Sequence, residues 1–367
     1  MKVAILHDWL TGFRGGERVL EAFCEMFPEA PIYTLLHRPG STSPTIESHP
    51  IHTSFLNSIP GVHEQYRKFL PLFPKAVESM RILGSPDLVL SSSHCVIKGL
   101  KKPIGSTHIS YIHSPMRYLY DQYEVYFGEG SPLYQRLGMK ISRQYLTSWD
   151  QRSNQNVDYM IANSEFVRRR IQKYYRMDST VIHPFADLAD FEGVQKSPPA
   201  KEDFYLMVTA FAPNKRVDMA IEAFNQLGRR LKIIGSGQQE KWLKSLAAGN
   251  VEFLGNQSRA QVIKNFAKAK ALIFPGVEDF GITPIEALAS GTPVIAFKEG
   301  GVLETLNEKV AHFFSDPSAE ALQKAVVEFE NRQYLSSDLW ERAEAFSKSK
   351  FRQEMLKFIG EKLNKSK

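Results

Sequence analysis

Short apolar runs alternate with amphipathic stretches from the first residue of the chain, the pattern that predicts a parallel-sheet α/β architecture. In the first half the runs predict strands at Val3 to His7, Ile32 to Leu35, Asp87 to Ser91, His108 to His113, Val157 to Ala162 and Thr180 to His183, with helices between them. From Asp187 to Lys201 the periodicity fades and two prolines stand side by side, so this stretch is expected to link two domains. A second series then predicts strands at Phe204 to Thr209, Leu231 to Ile234, Val251 to Leu254, Ala271 to Phe274 and Pro293 to Phe297. The expected layout is two Rossmann-like domains, 1–186 and 202–338, joined by 187–201. Residues 339–367 form a charged tail of helical period, with Trp340, Phe346, Phe351, Met355 and Phe358 roughly on one face, suited to packing back toward the first domain.

Length agrees with this division, since 367 residues are too many for one ordinary core and enough for two. Hydrophobic residues at 43% and charged residues at 23% describe a folded globular chain rather than a fibre or a disordered segment. Cys24 and Cys95 stand outside any metal-ligand spacing and are expected to be reduced and structural. The opening Met1-Lys-Val-Ala-Ile-Leu-His7 is a short strand with Asp8 close behind, not the long apolar region of a signal peptide, so a cytoplasmic protein is expected. No apolar run reaches the roughly 18 to 20 residues needed to span a bilayer, which leaves only a peripheral membrane role. The net charge of +6 permits anionic lipid or phosphorylated substrates, while no recognisable nucleic-acid motif is present.

The chemistry concentrates in a few loops. Glu278-Asp-Phe-Gly-Ile-Thr-Pro-Ile-Glu286 follows an apolar strand and runs into a helix. The amides of Phe280, Gly281 and Ile282 are thereby expected at a helix N-terminus, which favours an anion. Carboxylates at Glu278 and Glu286 suit vicinal hydroxyls, although an acid at a helix start also simply complements the dipole. In Thr209-Ala-Phe-Ala-Pro-Asn-Lys215-Arg216, two cations between a strand end and a helix are placed to grip a diphosphate, or else form a solvated basic turn. Gly15-Gly16 after the first strand allows close backbone approach, as any tight strand-to-helix turn does. In Ser110-Tyr-Ile-His113-Ser-Pro-Met-Arg117-Tyr, a strand ends in a histidine able to donate to a sugar hydroxyl or a phosphate, or to satisfy a loop carbonyl.

Taken in order, these segments resemble glycosyltransferase family 4. The Glu-x7-Glu element carries the likeness most clearly. It extends through Lys215, the His-Ser-Pro-Met-Arg-Tyr segment, Asp87-Leu-Val-Leu-Ser-Ser-Ser-His94, Ala162-Asn-Ser164 and Val181-Ile-His-Pro184. The resemblance implies an α/β GT-B fold, two Rossmann-like domains facing a central cleft with a C-terminal helix crossing back, and transfer of a hexose with retention. It implies that Glu278 approaches the donor sugar and Glu286 the ribose, while amides from Phe280 through Gly281 and Ile282 to Thr283 hold sugar and phosphate. Lys215 and Arg216 would meet the diphosphate, Gly255 and its neighbours the base, and His113 with Gly15 and Gly16 would complete the site from the first domain. Where relatives commonly have an arginine, this chain has Ala210, a departure for which Arg216 beside Lys215 is the candidate replacement that the resemblance implies.

No cofactor or metal is implied beyond the nucleotide-sugar donor, for GT-B enzymes lack the D-x-D clamp and this chain has none. Similarity to mannosyltransferase-like members suggests GDP-mannose as donor and a glycan or polyprenyl-linked acceptor in surface polysaccharide or O-antigen assembly. A nucleotide-sugar epimerase and a catalytically silent sugar-nucleotide-binding partner remain alternatives. Cations among large apolar groups at Arg67-Lys68-Phe-Leu-Pro-Leu-Phe-Pro-Lys75, with Arg168-Arg-Arg170, are a possible contact with anionic membrane at the inner face of the cell membrane.

Overall fold

Every strand in the protein's two sheets pairs in parallel. The structure is a computed structural model describing residues 1–128 and 133–365. One unit comprises Met1–His183 and the chain from Arg352 onward, and the other comprises Pro184–Phe351.

In the first unit, β1 (Val3–His7), β2 (Ile32–Thr34), β3 (Ile51–Thr53), β4 (Leu88–Ser93), β5 (Thr107–Ile112), β6 (Tyr159–Ala162) and β7 (Ser179–Val181) lie in the order β3-β2-β1-β4-β5-β6-β7. The second unit has β8 (Tyr205–Val208), β9 (Leu231–Ile234), β10 (Val251–Gly255), β11 (Leu272–Phe274), β12 (Val294–Phe297) and β13 (Ala311–Phe314), in the order β10-β9-β8-β11-β12-β13. Both are doubly wound sheets whose strand order reverses beside the first strand. Between β1 and β4, and between β8 and β11, the connections leave in opposite directions and open a crevice at the strands' C-terminal ends. β3 and β13 were not expected. Each is a short edge strand, and β3 is partly exposed, so neither carries a long apolar run.

Apolar burial fixes the helices over the sheets. In the first unit Leu6, Leu36, Phe73, Val89, Leu146 and Trp149 share one core. In the second, one layer holds Phe204, Phe274, Ile285 and Leu288, and another Tyr205, Phe211, Ile221 and Phe224. Each such side chain stabilises the fold by about 1.5–3 kcal/mol relative to exposure. Cys24 and Cys95 are buried free thiols.

The stretch 187–201, expected as a linker, belongs to the second unit. It holds a turn at Leu188–Phe191 and a helix at Glu192–Lys196, and Phe191 is fully buried in that unit's core. Polar composition conceals this single aromatic anchor. The tail is two helices, Ser336–Glu344 and Lys348–Lys365, not one. Phe346 lies between them against Phe280, and Phe351 packs on Phe185, both within the second unit. Phe358 meets Tyr159 in the first. Among the described residues, no helix is long and apolar enough to cross a membrane.

Candidate functional site

Polar side chains gather where β1, β4 and β5 of the first unit end. Asp8, directly after β1, is fully buried, and its carboxylate accepts four backbone N–H groups. Oδ2 takes those of His94 and Cys95 at 2.7 and 2.9 Å, and Oδ1 those of Val96 and Ile97 at 2.8 and 2.9 Å. Beside it runs a row of side chains. Glu17 Oε1 lies 3.6 Å from His7 Nε2, His7 Nδ1 lies 3.2 Å from Ser92 Oγ, and Ser92 Oγ lies 2.8 Å from His113 Nε2. Gly15 and Gly16 open the helix Gly15–Met26, whose first turn is closed by the Arg14 N–H donating to Glu17 Oε2 at 2.8 Å. A Cβ on Gly16 would stand 3.8 Å from His113 Nε2, so the expected partners Gly16 and His113 do meet.

Burial governs the charge of these groups. It pulls the His113 pKa down to about 3, helped by the neighbouring imidazoles of His94 and His7. Burial lowers His94 as well, against the pull of Asp8. Burial raises Glu17, but the hydrogen bond and charge of His7, followed by the charge of His94, bring it down to about 2. His113 is therefore a neutral imidazole at physiological pH, with Nε2 engaged by Ser92. His108, whose Nδ1 donates to the Asn156 carbonyl at 2.7 Å, is lowered to about 4 by burial.

These depressed histidines make stability depend on pH. Between their folded pKa values and the ordinary 6.5, the unfolded chain binds more protons, so their contribution is present above pH 6.5 and lost as pH falls toward 4. The melting temperature is expected to drop steadily from pH 7 to pH 4.5 in scanning fluorimetry. A flat profile across that range would contradict neutral burial of His94, His108 and His113.

Arg170, expected in a basic cluster facing anionic membrane, is buried instead. It donates to Ser114 Oγ at 2.6 Å and to Asp121 Oδ1 at 2.7 Å, and so holds the loop after His113. Arg168 pairs with Glu165 on the surface. In the 67–75 stretch Phe73 is buried, while Arg67 lies over the ring of Tyr66.

The second unit carries the other constellation. Lys215, in the turn after β8, forms an ion pair with Glu278, in the loop after β11. Both line a small pocket at the strand ends together with Val208, Thr209, Phe274 and Gly276. Gly276 makes the pairing possible, because a Cβ there would come within 2.9 Å of the Lys215 Cα. Glu278 is further held from behind, where its carbonyl accepts the Gly301 N–H at 2.8 Å from the Glu299-Gly-Gly turn. Arg216 takes a left-handed conformation, φ 50° and ψ 41°, at the start of the helix Val217–Leu227, and its Nε lies 3.5 Å from Asp218. A bulky residue rarely holds that conformation, and such strain clusters at functional loops.

Gly281, at φ 94°, caps the helix Ile282–Ala289, so of the three amides expected at the helix start that of Ile282 opens the first turn, followed by Thr283, while Gly281 is the cap and Phe280 precedes it. Phe280 is buried against Phe346. Glu286 is buried one turn into this helix and accepts from Arg259 Nη1 at 2.7 Å. Arg259 also donates to Asp190 Oδ2 at 2.9 Å and lies over Phe191. It was not anticipated, because the partners that orient it come from segments 69 and 27 residues away. Gly255, at the end of β10, accepts the Gly235 N–H at 2.9 Å, and Ser236 donates to Asn256 at 3.0 Å, so these two turns adjoin. In the first unit, Glu17, Ser92 and His94 were also missed. Their signal is position, since Ser92 and His94 lie at the end of β4 and Glu17 lies in the first turn of the helix that follows β1, at the point where strand order reverses.

Comparison with known proteins bears on both units. The model described as Glycosyltransferase Family 4 matches residues 13–190, and that described as Glycosyl transferases group 1 matches residues 190–349. The chain belongs to glycosyltransferase family 4. Among relatives of this family 4 chain, alpha-1,3/1,6-mannosyltransferase ALG2 of Homo sapiens is 25% identical over 228 residues, covering 53% of this chain and 55% of its own. The O-antigen chain mannosyltransferase RfbU of Salmonella typhimurium is 30% identical over 149 residues, covering 37% and 41%. The chain spans about half the length of the curated relatives it matches. The structure of sucrose-phosphate synthase from Thermosynechococcus elongatus superimposes with a TM-score of 0.74 at 20% identity, covering 98% of this chain and 99% of that one. The family 4 protein thus has the α/β GT-B fold, with two parallel-sheet Rossmann-like domains.

Proposed function

We propose that this protein transfers a hexose, with retention at the anomeric carbon, from a nucleoside-diphosphate sugar to a hydroxyl of a glycan or lipid-linked acceptor. The observation that carries the reading is the Lys215–Glu278 pair at the strand-order reversal of the second unit, a few residues before the helix start at Ile282. As the bond between the anomeric carbon and the diphosphate breaks, negative charge grows on the departing oxygen. Lys215, Arg216 and the amides of Ile282 and Thr283 are the groups to stabilise it. Glu278 orients the sugar hydroxyls, and Glu286, held by Arg259, takes the ribose. The acceptor oxygen bonds to the same face of the carbon, and its proton leaves with the diphosphate. Basic side chains and helix-end amides do this without a metal, in keeping with the lack of a D-x-D sequence.

Mannose from GDP-mannose is the donor to test first, supported by the names of two relatives and by the His113-Ser-Pro-Met-Arg-Tyr segment. The O-antigen relative supports an acceptor in surface polysaccharide or O-antigen assembly. Thermal shift against GDP-, UDP-, ADP- and dTDP-sugars tests the donor. A ligand at 100 times its Kd stabilises by about 2.7 kcal/mol, an easily read shift. GDP-mannose should stabilise most, and no response to any nucleotide sugar would overturn the reading. Product analysis after incubation with donor alone separates transfer from epimerisation.

A further inference from the structure

The helix Leu133–Ser153 packs on the first unit through Met139, Leu146, Trp149 and Asp150. On its other side Leu133, Leu137, Ile141 and Tyr145 are 76%, 57%, 75% and 46% exposed. They recur every fourth residue, so they form one stripe about 18 Å long that drifts slowly round the helix. Single exposed apolar residues are ordinary, but an aligned group of four marks a surface built to be covered.

The charges say what covers it. Asp150, the one acid in the helix, is buried against Lys98 Nζ at 2.6 Å. Arg143 turns inward, donating to the Leu119 carbonyl at 3.0 Å and lying over the Tyr123 ring. Arg136 and Lys140, one residue before Leu137 and Ile141, flank the stripe along one edge, and Arg152 lies beyond its far end. The outward charge of this helix is therefore wholly positive. A second copy seated on the stripe would set like charges together, whereas an apolar stripe edged by cations matches anionic headgroups over acyl chains.

We propose that this helix face is where the protein docks on an anionic lipid surface. The docking deepens the proposed lipid-linked acceptor, on which its purpose rests, and it relocates the expected membrane contact. Arg170 is committed to the loop after His113 and Phe73 to the core, so neither can serve.

Co-sedimentation of the full chain with phosphatidylcholine vesicles, with and without phosphatidylglycerol, tests the docking in the absence of donor and acceptor. Binding is expected only with phosphatidylglycerol and should weaken as salt rises. Leu137→Glu with Ile141→Glu should weaken it at least about tenfold, and Lys140→Glu should remove the preference for anionic vesicles. Circular dichroism should show the variants folded, since both apolar positions face solvent. Failure of the wild type to bind, or unchanged binding by the folded double variant, would overturn the proposal. So would a dimer seen by light scattering that Ile141→Glu dissociates. Nucleotide-sugar binding in solution is measured in parallel, and its absence would sink the donor reading while leaving the docking surface standing.

Discussion

Lys215→Ala is expected to lower sugar transfer by at least about 100-fold, and Glu278→Ala by a similar factor, as loss of one transition-state contact commonly does. The two side chains form an ion pair, so neither change removes a single independent term. In the proposed reaction, loss of Lys215 removes a cation from the charge growing on the diphosphate and leaves Glu278 without its ion-pair partner. Without Glu278, Lys215 keeps its charge but loses the carboxylate that aims it. A factor of 100 corresponds to about 2.7 kcal/mol of barrier. The loss should fall mainly on kcat, because the charge being stabilised grows only as the bond breaks. Both positions lie in loops at the mouth of a pocket, so melting temperatures should stay near that of the unmodified protein. Steady-state kinetics with the best donor provide the measurement, and near-normal turnover in both variants would sink the assignment.

What could be read from the sequence, and what could not, follows from the reach of each signal. Four consecutive apolar residues, Val3 to Leu6, made β1 legible because a strand buried on both faces needs no partner to announce itself. β3 and β13 each lie at a sheet edge, and a histidine interrupts the short apolar run of each. Glu278, Glu286 and Lys215 were legible because strand end, turn and helix start follow one another locally. Arg259 was not, since its meaning depends on Asp190, Phe191 and Glu286. Arg170 misled for the opposite reason: three arginines in a row suggest one basic surface, and only folding turns one of them inward to Ser114 and Asp121. The same distance effect hid Phe191, whose burial places the polar 187–201 stretch with the second unit.

Asp8→Ala is expected to destabilise the protein by more than about 3 kcal/mol, a large share of the 5–15 kcal/mol typical of a folded domain. The carboxylate accepts all four N–H groups from His94 to Ile97, and alanine leaves four donors, three of them buried, with no acceptor. Each unmade bond of this kind costs about 1–3 kcal/mol, and bonds to an ionised acceptor lie at the upper end. His94 Nδ1 is 3.4 Å away, but burial lowers its pKa, so the amides and not an imidazolium neutralise the carboxylate. Asp8→Asn separates charge from shape. Its one oxygen can keep two of the donors, while its NH2 group confronts the other two donor to donor, so asparagine should recover little. Urea denaturation of both variants measures the effect, and a midpoint for Asp8→Ala equal to that of the unmodified protein would refute it. Where alanine abolishes folding, the asparagine variant carries the test, because it should still lose most of the stability. The consequence reaches the site, since the turn that Asp8 secures carries His94 and follows Ser92, the hydroxyl on which His113 rests.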